Sequence, residues 1–465
     1  MTTKMRKRML PRIMLVMIAA ALLVAGCSGG GGKPSNTGTK ESNSGASTQP
    51  PSNDKEEVIV LKYATTADTA ARQSTKDLMA LVEQKLKNVK LEPLIIPGEG
   101  TEWNQKVTIS LMAGDEMDII YQNATTYQKF ATANLLEPLD SYIAADGYDI
   151  EKIYGSSISK YMDQIYMLPA FRDVHVTMYN KDLFDKAEVP YPDNATWTWE
   201  KYTEAAKAIT NEKEGIYGSY MLDWDNYFML SARQKQVPEY KADGTSNYDD
   251  PAFAESMKFF GDLGNELKVQ PDMISFKSKK MPWDSFLTSG TIGQFVVGHW
   301  ALQTAMDKNL YPRDWKLGLA IMPQVDEGGK AVMGIMGGYS IASTSKHKQE
   351  AYEALKVLAE NQWTLPGIVP ARVDLSDDEI NQIFQPMADA FKDDGITIEE
   401  LKAAILDPSL QIVNEKIVGP GMSKITSLIS SEGELYASKQ RTLEQTMAEL
   451  KKKADEAIKE DQSTK

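Results

Sequence analysis

The sequence predicts an α/β fold divided into two lobes, and two observations point to it. The chain has 465 residues, which exceeds the usual size of one domain, so we expect two. Between residues 58 and 121, short apolar runs typical of buried strands alternate with segments whose apolar residues recur at helical spacing. The order strand, helix, strand, helix, strand is typical of right-handed parallel units that bind ligands at the carboxyl ends of their strands.

The first predicted strand covers residues 58–63, and the apolar residues of 78–86 that follow it lie on one helical face. The second strand covers 89–96, the second helix stops at Gly114, and the third strand covers 118–121. Because the carboxyl ends of parallel strands share one edge of a sheet, we expect the polar loops after the first and third strands to lie together. These loops are 65–68 and 122–126.

The carboxyl-terminal part of the chain is predicted to be helical. Ser376 with Glu379, and Thr397 with Glu400, have the spacing of capping boxes at helix amino termini. A last amphipathic helix is predicted from apolar residues spaced three or four positions apart. These residues are Leu443, Met447, Leu450, Ala454 and Ile458.

The amino terminus has the features of a processing signal. A basic start, residues 4–12, precedes the uninterrupted apolar run 13–25, which is too short to span a bilayer comfortably. The run ends in Leu23-Val24-Ala25-Gly26-Cys27, which resembles the bacterial lipobox. In that family of signals the leader is cut before the cysteine, whose sulfur carries a diacylglycerol. We therefore predict a signal peptide over 1–26 and lipid attachment at Cys27, which would hold the protein on the cell membrane, facing the extracellular or periplasmic side.

A tether is predicted over residues 27–56, because 28–54 consist almost wholly of Gly, Ser, Thr, Asn, Pro and Lys and cannot bury apolar surface. Cys27 is the only cysteine of the chain, which excludes disulfides within the chain and cysteine-based metal sites. The formal net charge is −14, and loss of the basic leader would make the chain still more acidic. Such a charge argues against nucleic-acid binding and against electrostatic attachment to anionic lipid.

The rest of the chain carries a series of short motifs in a fixed order. They are residues 114–118 with 135–140, Leu168-Pro169 with 179–184, 196–210, 217–218, 286–300, 317–323 and 337–342. In order and spacing they resemble the extracellular solute-binding proteins of the sugar-binding type (family 1), the receptor subunits of ABC importers. The resemblance covers nearly all of 58–460.

This resemblance implies a two-lobed periplasmic-binding-protein-like fold of type II, with several crossover strands and a ligand cleft between the lobes. By analogy, the first lobe is 58–172 plus 303–358, and the second is 173–302 plus 359–465. The resemblance also implies a monomeric receptor, not an enzyme, that closes on a saccharide and delivers it to an ABC permease. The length of the body favours an oligosaccharide over a monosaccharide.

A saccharide exposes C–H groups on its faces and hydroxyls around its edge. Its receptor therefore needs aromatic rings for stacking, and carboxylates, amides or arginines for paired hydrogen bonds. We predict four stacking residues, each at a strand end or in a loop after one: Trp300, Trp224, Trp283 and Tyr339. Trp300 closes the stretch 291–300, in which a buried apolar run is followed by Gly298. Packing in a core is the alternative for each ring, and for Trp283 and Tyr339 a contact at the hinge is another.

The predicted polar partners come from loops and from the crossover between the lobes. They are Asp68, Asn123 and Thr125 in the first lobe, Arg172 and Asp173 at the crossover, Asp223 and Asn226 beside Trp224, and Arg372. A solvated loop position is the usual alternative for such residues. For Arg172 the alternative is a salt bridge at the hinge.

Other chemistries find little support in the sequence. The three histidines, His175, His299 and His347, are far apart, and no histidine–cysteine metal cluster, phosphate loop or Gly-x-Ser-x-Gly motif is visible. No cofactor is predicted. Two alternatives stay open: a lipid-anchored glycoside hydrolase, which needs two carboxylates roughly 5–9 Å apart, and a receptor of the same fold for a peptide, a polyamine or chelated iron.

Overall fold

The computed structural model describes residues 58–98, 100–221, 223–365, 367–407 and 409–463. The predicted signal peptide (1–26), the lipid attachment at Cys27 and the tether (27–56) lie outside these residues. Glu56–Lys465 gather into one compact unit. None of the helices in the described ranges has both the length and the apolar character that crossing a membrane requires.

The strands of the described chain join into one continuous mixed sheet. Its middle is formed by two long antiparallel strands, β4 and β8, and shorter strands pair on either side of them. The strands are β1 (Ile59–Thr65), β2 (Val89–Ile95), β3 (Ile119–Asn123), β4 (Leu168–Asn180), β5 (Tyr217–Tyr220), β6 (Ile292–Gly298), β7 (Leu317–Ile321), β8 (Ala331–Ile341), β9 (Val369–Pro370) and β10 (Gln411–Asn414).

Helices cover the faces of this sheet and build the carboxyl-terminal part. They are α1 (Ala67–Ala71), α2 (Gln73–Lys85), α3 (Gly100–Ala113), α4 (Ala124–Thr132), α5 (Asp140–Asp146), α6 (Ile150–Tyr154), α7 (Lys181–Lys186), α8 (Trp199–Ile209), α9 (Asp225–Phe228), α10 (Leu230–Gln234), α11 (Pro251–Asn265), α12 (Met273–Lys279), α13 (Ser285–Ser289), α14 (Trp300–Ala305), α15 (Lys348–Asn361), α16 (Asp377–Ala390), α17 (Ile398–Ile405), α18 (Met422–Ala437) and α19 (Leu443–Ser463).

The first lobe is built on the strand order β2-β1-β3-β8-β4. β1 pairs in parallel with both β2 and β3, which confirms the predicted parallel units. β8 then closes this part of the sheet against β3, antiparallel. Apolar side chains pack on both faces, with Leu61, Val82 and Leu355 in one cluster and Val107 and Phe130 in another.

The second lobe uses the other end of β4. This half pairs antiparallel with β6 and with β7, and β6 pairs in parallel with β5. Its core is the largest apolar cluster of the described chain and includes Val176, Phe295 and Leu450. β4 has 13 residues and β8 has 11, so both strands are long enough to run from one lobe into the other. The predicted crossover by more than one strand is therefore present.

One element lies apart from its predicted lobe. The predicted boundaries place residues 303–358 in the first lobe, whereas β7 pairs with the second-lobe half of β4, on the edge opposite to β6, and Leu317 packs in the core of the second lobe. The physical reason is that β7 adds a strand to the part of the sheet that this core covers. The exact boundaries of the lobes stay a prediction.

The carboxyl-terminal helices follow the sequence pattern closely. Both capping boxes are formed, at Ser376 with Glu379 before α16 and at Thr397 with Glu400 before α17. The amphipathic pattern of the last helix is confirmed in α19, where Leu450 and other residues of the predicted stripe are buried. These helices cover the core of the second lobe and leave the carboxyl ends of β1 and β3 open.

Candidate functional site

The first wall of the candidate site lies where β1 and β3 end. A cavity of about 530 Å³ opens there, lined by the loops after both strands and by residues of β4 and β8. Four rings form what we call the aromatic floor: Tyr63, Tyr121, Phe171 and Tyr339. The ring centroids of Tyr121 lie 5.5 Å from Phe171, in a stacked pair, and 5.3 Å from Tyr339. Tyr339 is fully buried and donates a hydrogen bond to Gln362. This bond holds the Tyr339 ring in place under the other rings of the floor.

Polar groups surround the aromatic floor. Asp68 and Asn123, both predicted from the sequence, line the cavity. Trp103, which is not a predicted site residue, lines it too, and its indole Nε1–H is buried without an acceptor among the described residues. The amide oxygen of Gln122 is likewise buried without a donor there. Thr125 is the second residue of α4, which directly follows β3, and its side chain lies outside the described residues.

The second wall is formed by three tryptophans, which we call the tryptophan cluster. Trp300 begins α14 directly beyond β6 and is 36 % exposed, the highest value of the three. Trp283 meets it edge-on at 4.7 Å between centroids, and Trp224 lies at 6.4 Å. Trp224 in turn stacks on the buried ring of Tyr227 at 5.8 Å. The three predicted tryptophans are therefore together, and Trp300 is the most exposed of them.

Asp173 of β4 holds Trp300 in place. Its Oδ1 accepts a hydrogen bond from the backbone N–H of Trp300 at 3.1 Å, and Nδ1 of His299 lies 2.8 Å from the same oxygen. The backbone N–H of Val174 also points at this Nδ1, at 3.1 Å. One nitrogen cannot donate and accept at once, so Nδ1 either accepts from Val174 or carries a proton that it donates to Asp173.

Gly298 is required by this arrangement. A Cβ at this position would lie 2.5 Å from both Cδ1 and Nε1 of the Trp300 indole, and nearer still to Oδ2 of Asp173. The backbone of β6 therefore approaches both side chains as closely as only glycine allows. This explains the order glycine, histidine, tryptophan at the end of the strand.

The two walls face the same side of β4. Phe171 of the aromatic floor and Asp173 are two residues apart on this strand, so their side chains point the same way. Gln303 lines the first cavity and lies one helical turn after Trp300 on α14. We therefore expect the tryptophan cluster and the aromatic floor to bound one cleft, with Asp173 between them, and Gln303 is the residue of α14 that lines the cavity at the floor.

Two predicted polar residues beside Trp224 are engaged with the protein itself. Asn226 is buried, and its amide nitrogen lies 3.3 Å from Nε2 of His175. Asp223 accepts a hydrogen bond from the ammonium group of Lys277. Their predicted role in ligand binding stays a prediction, and these contacts show that both also fix the segment that carries Trp224.

A buried ionic network that the sequence did not reveal lies behind this segment. Arg233 donates from Nη2 to Glu239 at 2.9 Å and lies 3.7 Å from Asp225, whose carboxylate also pairs with Lys416. Although burial opposes its charge, the nearby carboxylates of Glu239 and Asp225 raise the pKa of Arg233. The network fixes α9, and with it the position of Trp224.

Arg172 and Arg372 do not join the tryptophan cluster. Arg172 lies between Phe171 and Asp173 on β4, so the alternation of side chains along a strand directs it to the opposite side. There it lines a separate cavity of about 1110 Å³ together with Arg372, which makes a bidentate pair with Asp374. Their predicted role in ligand binding stays a prediction, and they line a different cavity from the one at the aromatic floor.

Across the described ranges, no three residues among His, Cys, Asp and Glu gather in a group that could hold a metal ion. His175 and His299 are both buried and bonded to protein groups. The chemistry that the cleft offers is therefore stacking on exposed rings and hydrogen bonding by Asp68, Asn123 and Asp173.

Comparison with known proteins adds a family to this geometry. The family model described as "bacterial extracellular solute-binding protein" matches residues 70–364. A putative binding protein of Brucella abortus (strain 2308) is 25% identical over 264 residues, which are 56% of this chain and 62% of that protein. An arabinooligosaccharide-binding protein of Halalkalibacterium halodurans is 22% identical over 304 residues, which are 63% of this chain and 65% of that protein. The chain thus spans less than two thirds of the length of these curated relatives.

A solved structure matches over most of the chain. It is an ABC substrate-binding protein from Listeria monocytogenes in complex with cycloalternan, with a TM-score of 0.69 and 22% sequence identity. The match covers 86% of this chain and 99% of the other. It confirms the predicted two-lobed α/β fold.

Proposed function

The chain belongs to the bacterial extracellular solute-binding protein family, and we propose that it is the lipid-anchored, monomeric receptor of an ABC importer for an oligosaccharide. The observation that supports the proposal is the presence of two clusters of aromatic rings, the aromatic floor and the tryptophan cluster, which we expect to face one cleft. The aromatic floor and the tryptophan cluster offer flat apolar surfaces to the C–H faces of sugar rings. Asp173, Asp68 and Asn123 offer acceptors to the hydroxyls around the edge.

The fixed position of the Trp300 indole supports this proposal, because it lowers the entropic cost of binding. An indole that is already fixed by Gly298, Asp173 and Trp283 loses little conformational freedom when a ring stacks on it. Most of the stacking energy therefore appears as affinity. The relative named for arabinooligosaccharide and the structure in complex with cycloalternan support an oligosaccharide as the ligand.

Closure of the lobes follows from the strands that join them. Because β4 and β8 are continuous through both lobes, small changes of backbone angles near Asp173 and Gly337 would rotate one lobe toward the other. Closure would bring the aromatic floor and the tryptophan cluster onto opposite faces of the sugar. In this proposal the permease recognises the closed form.

The anchor is proposed from the lipobox that ends at Cys27. Expression in a bacterium that processes lipoproteins should yield a chain that begins at Cys27 and carries lipid, as measured by mass spectrometry. The variant Cys27→Ser should leave the chain unprocessed or release it from the membrane fraction. Recovery of an unmodified Cys27 in the wild-type protein would contradict the anchor and leave the ligand proposal untouched.

The ligand proposal is tested by calorimetric titration of the purified protein with a panel of plant and microbial oligosaccharides. We expect at least one saturable ligand, and we expect Trp300→Ala and Trp224→Ala each to weaken its binding by roughly tenfold, about 1.4 kcal/mol. The matched control is Trp315→Phe, since Trp315 is buried against Phe286 in the second lobe and belongs to neither wall. Unchanged affinity in both alanine variants would refute the site.

The same titration separates the two alternatives. A glycoside hydrolase would release shorter products from the bound saccharide on prolonged incubation, whereas a receptor returns it intact. A receptor for a peptide, a polyamine or chelated iron would show no saccharide heat and would bind one of those solutes instead. In that outcome the cleft would remain the proposed ligand site, and a saccharide would be excluded as its ligand.

A further inference from the structure

The cavity that Arg172 lines, on the side of β4 opposite to Phe171 and Asp173, is larger than the cavity at the aromatic floor. We call it the hinge cavity; its volume is about 1110 Å³. Arg172 of β4 and Met336 of β8 line it where both strands cross between the lobes. Ile158, which packs against the core of the first lobe, lies on one side, and Leu406, which packs against the core of the second, lies on the other. The hinge cavity therefore lies between the lobes, like the cleft, but opposite to it.

Arg172 is a charged group without a counterion among the described residues. No carboxylate in those ranges lies within ion-pair distance of its guanidinium, and its buried Nε has no hydrogen-bond acceptor there. Burial lowers the pKa of Arg172 to about 10, so the group stays charged at neutral pH. The other buried arginines differ in this respect, since Arg233 pairs with Glu239 at 2.9 Å and Arg313 with Asp394 at 2.5 Å.

The rest of the wall is positive as well, although the chain as a whole carries a formal charge of −14. Lys402 of α17 lines the cavity and makes no ion pair with a described residue. The acidic residue of the wall, Asp407, is paired with Lys330 at 3.2 Å. Arg372 is balanced by Asp374 at 2.8 Å. Two uncompensated cations, Arg172 and Lys402, therefore remain.

The wall that holds these cations also has an apolar part. It is formed by Ile158, Met336, Leu375, Ile380, Leu406 and Leu410. A buried charge without a partner is costly to a fold, and a bound anion removes that cost. The planar guanidinium matches the paired oxygens of a carboxylate or a phosphate, and the apolar wall suits a hydrocarbon body next to them.

We propose that the hinge cavity is a second ligand site, which binds an oxyanion, a carboxylate or a phosphate, of a small molecule through Arg172 and Lys402. The site is separate from the saccharide cleft and does not rest on the function proposed for it. An occupant would contact strands of both lobes at the point where they hinge.

The test is calorimetric titration of the purified full-length protein with two probes, inorganic phosphate and hexanoate, each carried into the millimolar range. Ionic strength is held constant with sodium chloride, so that general screening does not change during the titration. We expect saturable binding of at least one probe at one site per chain. Arg172→Gln should weaken this binding by roughly tenfold or more, because a charge-assisted pair is lost.

Two further variants make the result decisive. Lys402→Gln removes the second cation from a different element and should weaken binding several-fold, and it decides the matter where Arg172→Gln fails to fold. Lys186→Gln, which changes an exposed lysine paired with Glu214, is the control and should bind as the wild type does. Binding of phosphate alone would assign a phosphate-bearing ligand, and binding of hexanoate alone would assign a carboxylate with an apolar body. Absence of saturable binding with both probes, or wild-type affinity in the folded Arg172→Gln or Lys402→Gln variant, would overturn the proposal.

Discussion

Alanine at position 298 should disturb the candidate cleft without replacing any side chain that is expected to touch the ligand. The added Cβ would lie 2.5 Å from the Trp300 indole, where ordinary contact begins at 3.4 Å. The overlap of about 1 Å must be relieved by moving Trp300, Asp173 or the end of β6. Overpacking of this kind costs about 1–3 kcal/mol, and we expect Gly298→Ala to lower the free energy of unfolding by that amount.

A second glycine provides the matched control. Gly215 has a φ of +69°, and a Cβ there would meet nothing within 4 Å. Gly215→Ala therefore costs only backbone strain, about 1–2 kcal/mol, and leaves the cleft as it is. The two variants should lose similar stability for different reasons, which separates a general loss of stability from a local change at Trp300.

Near-ultraviolet circular dichroism reads out the local change, because it depends on the fixed packing of aromatic rings. Gly298→Ala should alter the tryptophan bands and weaken binding of the saccharide found in the panel, whereas Gly215→Ala should preserve both. Stability is measured by urea unfolding of the same samples. If Gly298→Ala kept the wild-type spectrum and the wild-type stability, the close approach of β6 to Trp300 and Asp173 would be refuted.

Two further predictions concern the buried groups. Arg233→Met should lower the free energy of unfolding by about 3 kcal/mol, because it leaves the carboxylate of Glu239 buried without its cation. The control Lys186→Met, at an exposed pair, should cost less than about 1 kcal/mol, and equal losses in urea unfolding would contradict the reasoning. Burial raises the pKa of Tyr63 to about 12, above its value of about 10 in the unfolded chain. The stability that its neutral phenol contributes is therefore complete below pH 10 and is lost as the pH rises to 12. Tyr63→Phe should make the fall of stability over this range shallower. An unchanged slope would show that the pKa of Tyr63 is not raised in the folded protein.

Local sequence patterns were sufficient for the elements that depend on neighbours in the chain. The apolar run 58–63 predicted β1, because a strand buried on both faces needs such a run whatever it pairs with. The stripe that contains Leu450 predicted α19, because amphipathic spacing depends only on helix geometry. The capping box at Ser376 was predicted in the same way, since the side chains that form it are three residues apart.

The partners of strands could not be predicted in this way. β7 pairs with β4, more than 130 residues earlier in the chain, and nothing in the composition of residues 317–321 distinguishes this partner from another strand. The family resemblance supplied a general arrangement of two lobes and placed β7 in the first of them, whereas its pairing with β4 joins it to the second. Long-range pairing depends on the whole set of competing contacts, which one local pattern does not contain.

Sequence reasoning predicted which side chains lie together where a strand end fixes their direction, and it did not where adjacency in the sequence was used instead. Trp300, Trp224 and Trp283 come together because each follows a strand end or a loop at the same edge of the second lobe. Arg172 was grouped with Asp173 because the two are adjacent in the sequence. In an extended strand, adjacency places side chains on opposite sides, and the register needed to tell which side is the cleft comes only from the pairing with β6 and β8.

Because side chains alternate between the two sides of β4, both proposed sites use residues of this one strand. Phe171 and Asp173 face the cleft, and Arg172 between them faces the hinge cavity. A strand that crosses between two lobes must present one set of side chains to each side, so a change on one side need not alter the other. Asp173→Asn should then affect the tryptophan cluster while oxyanion binding is kept, and Arg172→Gln should do the reverse. If each variant impaired both ligands while the fold was preserved, the two cavities would be coupled through the hinge, because both ligands would then depend on the same arrangement of β4 and β8.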